Sequence, residues 1–261
     1  MAKKINKKGQ ITIFIVVAVL LIAGVGIFFL IRNIQSPGRG TTPSISSSFI
    51  QICMEDNIRN TIQEISSQGG YIENNLSIKF KFSDEKDYTN ISYLCYIDGL
   101  FSPCINQEPM LIEHLSKEIE KAISSNVEQC FSDYANGLEQ QGYEVQKTYN
   151  GFKITLAPEK VILTIDGGIT TEKAGETITL NKIESIFSSK FYDLAIIAQD
   201  IVNKESMNCN YEQLNQMLIN PDISIDKFRS GDYILIYRIT HKQSKDVFKF
   251  AIRGCVLPAV I

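Results

Sequence analysis

Residues 11–31 read ITIFIVVAVLLIAGVGIFFLI, and no charged side chain interrupts them. Thr12 carries the only hydroxyl in the run. As a helix such a run spans about 31 Å, close to the thickness of a bilayer's hydrocarbon core. The apolar core of a secretory signal peptide is shorter, roughly 7–15 residues, and Ile31-Arg32-Asn33-Ile34 makes a poor cleavage site. A buried helix of a soluble protein would show a polar face at this length. The stretch is therefore predicted to be a transmembrane helix, with bounds 11–32. Lys3, Lys4, Lys7 and Lys8 precede it, while only Arg32 and Arg39 follow closely. That bias places the N-terminus in the cytoplasm and the rest of the chain outside.

Outward from the span, residues 1–10 form a basic cytoplasmic segment and residues 33–47 a flexible linker. Pro37, Pro43, Gly38, Gly40 and a run of Ser and Thr leave the linker nothing with which to build a core. The junction Lys7-Lys8-Gly9-Gln10-Ile11-Thr12-Ile13-Phe14 resembles the class III signal segments of archaeal type IV pilin-like proteins, over roughly residues 7–31. The resemblance implies that a prepilin-type peptidase cuts between Gly9 and Gln10 on the cytoplasmic side and leaves the apolar helix attached. Glycine before the scissile bond lets the backbone enter a protease unhindered. Many of these proteins carry Glu at the fifth mature position, where it helps a subunit enter a filament. Here that position is Phe14, and the linker ends the helix sooner than in typical pilins. An uncut anchor with a basic flank is the alternative.

Charge is divided unevenly. Of 26 Lys and Arg, six lie in residues 1–40, leaving 20 basic groups against 29 acidic ones beyond, a net of −9. An acidic outer part argues against a nucleic-acid partner, which requires a basic face. All six cysteines lie beyond the span, which suggests disulfides in an oxidising compartment. The predicted pairs are Cys95–Cys104, closing a short loop; Cys53–Cys130, joining two helices; and Cys209–Cys255, tying a helix to the last strand. Six reduced buried thiols are the alternative. Asn75-Leu76-Ser77 and Asn90-Ile91-Ser92 are candidate glycosylation sites.

The outer chain reads as α+β, with mostly antiparallel sheets and packed helices. Apolar residues at three-four spacing predict helices over 48–67, 110–123, 127–138, 188–202 and 211–219. Alternation and β-branched content predict strands over 71–82, 91–97, 143–149, 152–156, 161–165, 176–180, 223–228, 233–240 and 247–253. Asn150-Gly151 reads as a hairpin turn, and residues 83–87, 158–160 and 166–168 as further turns. Gly142 marks a boundary between a helix-rich lobe, 48–141, and a β-rich lobe, 142–261.

No cofactor, metal or catalytic site is predicted. The chain holds no GxSxG, HExxH, phosphate-binding glycine loop or dinucleotide fingerprint. His114 and His241 lie far apart and read as surface residues. Glu55-Asp56 and Asp84-Glu85 lack the alternating ligands of a calcium loop and read as solvated charge. The sequence thus points to a structural or interaction protein of the cell envelope, partnered by the lipid bilayer, by a prepilin-type peptidase, and by other envelope proteins or copies of itself. An anchored ectoenzyme and a ligand-binding envelope protein are the alternatives.

Overall fold

A computed structural model describes residues 45–99, 102–209, 211–231 and 233–254. Gly9, Gln10, the predicted span 11–32 and the linker up to residue 44 lie outside these. Among the described residues no helix is long and apolar enough to cross a membrane. They belong to one compact unit of α+β architecture, with one mixed and one antiparallel sheet.

Helix α1, Ile45–Ser67, begins inside the predicted linker and buries Ile50, Met54, Ile58 and Ile65 along one face. The Gly70 N–H closes it on the Ile65 carbonyl at 2.9 Å. Helix α2, Leu111–Gln140, merges the two helices predicted over 110–123 and 127–138. Its buried stripe stays in phase from Ile119 through Ile123 to Val127. Nothing between them breaks a helix, since Ser124, Ser125 and Asn126 cost only propensity. Helices α3, Phe191–Asn208, and α4, Gln213–Ile219, follow later in the chain. The start of α3 is later than predicted because the preceding strand continues to Ser188.

The larger sheet holds β1 (Ser77–Phe80), β2 (Thr89–Tyr96), β3 (Ile105–Asn106), β7 (Ile223–Arg229), β8 (Ile234–His241) and β9 (Val247–Arg253). Its order is β1-β2-β9-β8-β7, with β3 also beside β2. Strands β2 and β9 run parallel; the other pairs are antiparallel. The two lobes predicted on either side of Gly142 therefore do not separate. Strands from before and after it are neighbours in one sheet, and one hydrophobic core takes side chains from α1, α2, α3 and both sheets. A smaller cluster, with Phe82, Ile91, Tyr93, Ile234, Ile236 and Ala251, forms on the other face of the larger sheet.

Strand β1 is much shorter than the predicted 71–82. Residues before it are pinned elsewhere: the Tyr71 hydroxyl donates to Glu108 at 2.5 Å and the Ile72 N–H to Glu118 at 3.1 Å. Aromatic residues near the last two strands fall into two settings. Tyr237 and Phe250 are register partners and stack at 5.2 Å, with Phe248 beside them. Tyr233 instead takes a positive φ of 58° ahead of β8 and is partly exposed.

The second sheet departs most from the sequence reading. It is a meander of three long strands, β4 (Glu144–Ala157), β5 (Lys160–Lys173) and β6 (Glu176–Ser188). Asn150-Gly151 does not turn the chain. Asn150 is the extra residue of a bulge in β4, opposite Gly167 and Asp166. Residues 166–168 likewise hold a bulge in β5, where Gly167 and Gly168 oppose Asn181. A Cβ on Gly167 would run into the Thr148 carbonyl, so only glycine allows the two bulged strands to approach this closely. The reversals come at Glu159 (φ 63°), within the turn predicted over 158–160, and at Ala174-Gly175 (φ 52° and 83°), where no turn is predicted.

Candidate functional site

A cleft of about 560 Å³ opens between α1, the end of β6, the start of α3 and the β8–β9 turn. Its floor is apolar, with Ile58, Phe187, Phe191 and Leu194 all buried. Its rim is charged, with Glu55, Arg59, Glu85, Lys245, Asp246 and Lys249. Most of this charge is already engaged. Arg59 pairs with Glu55 at 2.6 Å and Asp56 at 3.5 Å, and Lys249 with Glu85 at 2.6 Å. Glu85 belongs to the acidic turn over 83–87. Asp84 of the same turn accepts two bonds from Arg238, at 2.8 and 2.9 Å, and Arg238 also reaches Asp226 across the strands at 2.8 Å. Arg238 holds the Asp84 carboxyl below its usual range. The turn is thus clamped over the outer cluster, with the Arg238 guanidinium 4.3 Å from the Phe82 ring centroid.

Ser189 and Ser244 of the cleft, with His241 nearby, brace local backbone. Ser189 Oγ accepts from the Phe191 N–H at 3.1 Å at the start of α3. His241 Nδ1 accepts from the Ser244 N–H at 3.1 Å and lies 2.9 Å from Ser244 Oγ, which donates to Asp246 at 3.0 Å. In a catalytic triad the carboxylate orients the histidine and the histidine activates the hydroxyl. Here the serine sits between the two, and Asp246 turns to the Lys190 N–H at 3.3 Å. The arrangement offers an apolar floor and a charged rim to a ligand.

His114, read from sequence as a solvated residue, is largely covered. Its Nε2 lies 2.9 Å from the Gly70 carbonyl and its ring 4.3 Å from that of Tyr71. It fastens the chain after α1 to α2. Asn75, in a bend before β1, and Asn90, on β2, both have exposed side chains. Ser92, the hydroxyl residue of the second sequon, is buried. Among the described residues no group of three or more His, Cys, Asp or Glu side chains is placed to hold a metal ion.

Two of the predicted disulfides join described residues: Cys53–Cys130, linking α1 to α2 with Cα atoms 6.2 Å apart, and Cys95–Cys104, at 5.4 Å. Cys209 is disulfide-bonded as well. Its predicted partner, Cys255, lies outside the described residues.

A buried polar cluster falls outside the sequence reading. Glu205, 1% exposed, sits near the end of α3. Its Oε1 accepts from the Tyr237 hydroxyl on β8, from Lys227 Nζ on β7 at 2.9 Å, and from the Tyr211 N–H at 3.2 Å. Lys227 also donates to the Tyr211 carbonyl at 3.2 Å. A signal is nonetheless present: Leu194, Ala198, Ile201 and Glu205 follow one another at helical spacing, so a carboxylate falls on the apolar stripe. Lys227 likewise shares the inward face of β7 with Ile223 and Ile225. One buried charge marks the other.

Burial, with the Glu205 carboxylate beside it, drives the Tyr237 hydroxyl far above the usual tyrosine range. Burial, with Asp200 nearby, pushes Tyr211 up to about 12. Unfolded tyrosines ionise near pH 10. Stability from these two groups is therefore fully present below pH ~10 and is lost as pH rises toward their folded values. Alkaline titration should show a late, cooperative rise in tyrosinate absorbance that coincides with loss of circular dichroism. A rise that completes while the circular dichroism is still native would contradict the burial described.

Comparison with protein-family models, with curated proteins and with solved structures finds no match to this chain.

Proposed function

We propose that this chain is a single-pass membrane protein whose α+β domain works outside the cytoplasm by contact, as a structural or interaction component of the cell surface of type IV pilin-like kind. The observation that carries the reading is the uncharged run 11–31 behind four lysines, joined to a domain whose described cysteines are all bonded. An uncharged run of bilayer length supports a membrane anchor, and disulfides persist chiefly in oxidising compartments. The chain should remain in the membrane fraction after alkaline wash and yield an N-terminal peptide beginning at Gln10. Release by the wash refutes the anchor. Retention with an intact N-terminus refutes processing at Gly9 while leaving the anchor in place.

The cleft beside α1 favours a second reading, a ligand-binding envelope protein, because an apolar floor within a charged rim suits a small amphipathic molecule. A thermal-shift screen of such molecules tests it: a hit weakened by Lys245→Glu, at the exposed rim, supports binding there, and no hit opposes it.

A further inference from the structure

The sequons Asn75-Leu76-Ser77 and Asn90-Ile91-Ser92 offer the same chemistry and lead into or lie on neighbouring strands, yet the fold treats them differently. A transferase must reach both the Asn carboxamide and the hydroxyl two residues on, so the segment has to come away from the surface of the domain.

Asn75 lies in a bend ahead of β1, outside the ladder, with an exposed side chain. The bend is held by its neighbour, whose Oδ1 accepts the Leu76 N–H at 2.9 Å. Ser77 is the first residue of β1, and its side chain is half-buried rather than enclosed. Strand β1 has four residues and stands at the outer end of the larger sheet, with β2 as its one neighbour in the sheet order. The end of a short edge strand opens locally at little cost.

Asn90 exposes its side chain, but the rest of its sequon is sealed. It lies on β2, an interior strand between β1 and β9, in register with Lys79. Ile91 is fully buried in the outer cluster, and Ser92 is 2% exposed. The Ser92 N–H donates to the Gln68 carbonyl at 3.0 Å. Gly69 packs so closely that a Cβ there would lie 2.9 Å from Ser92 backbone atoms. Freeing Ser92 means unpairing β2 and drawing Ile91 out of an apolar cluster, which amounts to opening the sheet.

We infer that Asn75, and not Asn90, is the site at which the folded domain receives an N-linked oligosaccharide. Asn75 Nδ2 bonds to the anomeric carbon of an oligosaccharide carried on a polyprenyl phosphate. The anomeric C–O bond breaks, its electron pair leaves with the lipid phosphate, and the amide proton passes to a base of the transferase. The inference rests on the domain lying outside the cytoplasm, where such a transferase works.

The test is mass spectrometry of the full chain purified from its own membrane. The mass excess over the polypeptide should sit on the peptide holding Asn75, vanish in Asn75→Gln and persist unchanged in Asn90→Gln. A free peptide of residues 86–96, incubated with the same membranes, should accept sugar at Asn90, because the cover over Ser92 is gone. Sugar on Asn90 of the full chain overturns the inference, and an inert free peptide overturns its structural ground. A bare Asn75 in a domain that protease reaches on intact cells overturns this inference alone. A bare Asn75 in a domain protected until lysis overturns the placement outside the cytoplasm as well.

Discussion

Replacing Glu205 by Gln should cost about 3–5 kcal/mol, because it breaks a buried ion pair and leaves one charge behind. The side chain keeps its shape, so the loss is electrostatic rather than a cavity. Lys227 is only 13% exposed, and its ammonium would then face an amide, the Tyr211 carbonyl and the Tyr237 ring. Three elements meet at this carboxylate: the end of α3, β7 and β8. At about 2–4 °C per kcal/mol for a domain of this size, the melting temperature should fall by ~10 °C. Lys227→Met alone should also destabilise, but by less, since Glu205 keeps the Tyr237 hydroxyl and the Tyr211 N–H. The double variant should recover part of the loss, because a neutral pair does not carry the cost of a stranded charge. Urea denaturation of the four proteins checks this. Additive losses would show that the pair does not act as a unit.

The second large effect belongs to the Cys53–Cys130 bond. It joins residues 77 apart, and the chain-entropy relation gives about 4.5 kcal/mol for closing such a loop. The Cys95–Cys104 bond, nine residues apart, is worth about 2.7 kcal/mol by the same relation. Substituting both members of each pair by Ala should therefore lower the denaturation midpoint more for the long link than for the short one. Cys130 is buried where α1 packs on α2, so its loss also leaves an underfilled core. Equal midpoints would mean that strain or residual unfolded-state structure outweighs loop length.

How much of the fold is legible in the sequence depends on which forces are local. The stripe Leu115, Ile119, Ile123 and Val127 identifies α2 because helical periodicity is read within one segment. Its continuity across residues 124–126 is not legible, because three weak helix formers in a row read as a break. Asn150-Gly151 and Asp166-Gly167-Gly168 have turn chemistry, yet both serve as bulges. Turn residues mark positions where the backbone departs from a regular strand; whether it reverses or only kinks depends on the partner strand. The parallel pairing of β2 with β9 joins strands from opposite ends of the domain, and no local pattern encodes it. The two described disulfides match pairs chosen among fifteen possible ones because each joins segments read as neighbours, a short loop in one case and two helices in the other. The cleft is not, since its walls come from α1, β6, α3 and the β8–β9 turn, four segments with no common motif.

The most direct measurement is proteolysis of intact cells, followed by non-reducing gels of what is released. Our account predicts that protease cuts between the apolar run and the start of α1 at Ile45 and frees a disulfide-bonded fragment carrying the α+β domain, while the basic N-terminal segment stays protected. Full protection of the chain until the cells are lysed would put the domain in the cytoplasm and contradict it.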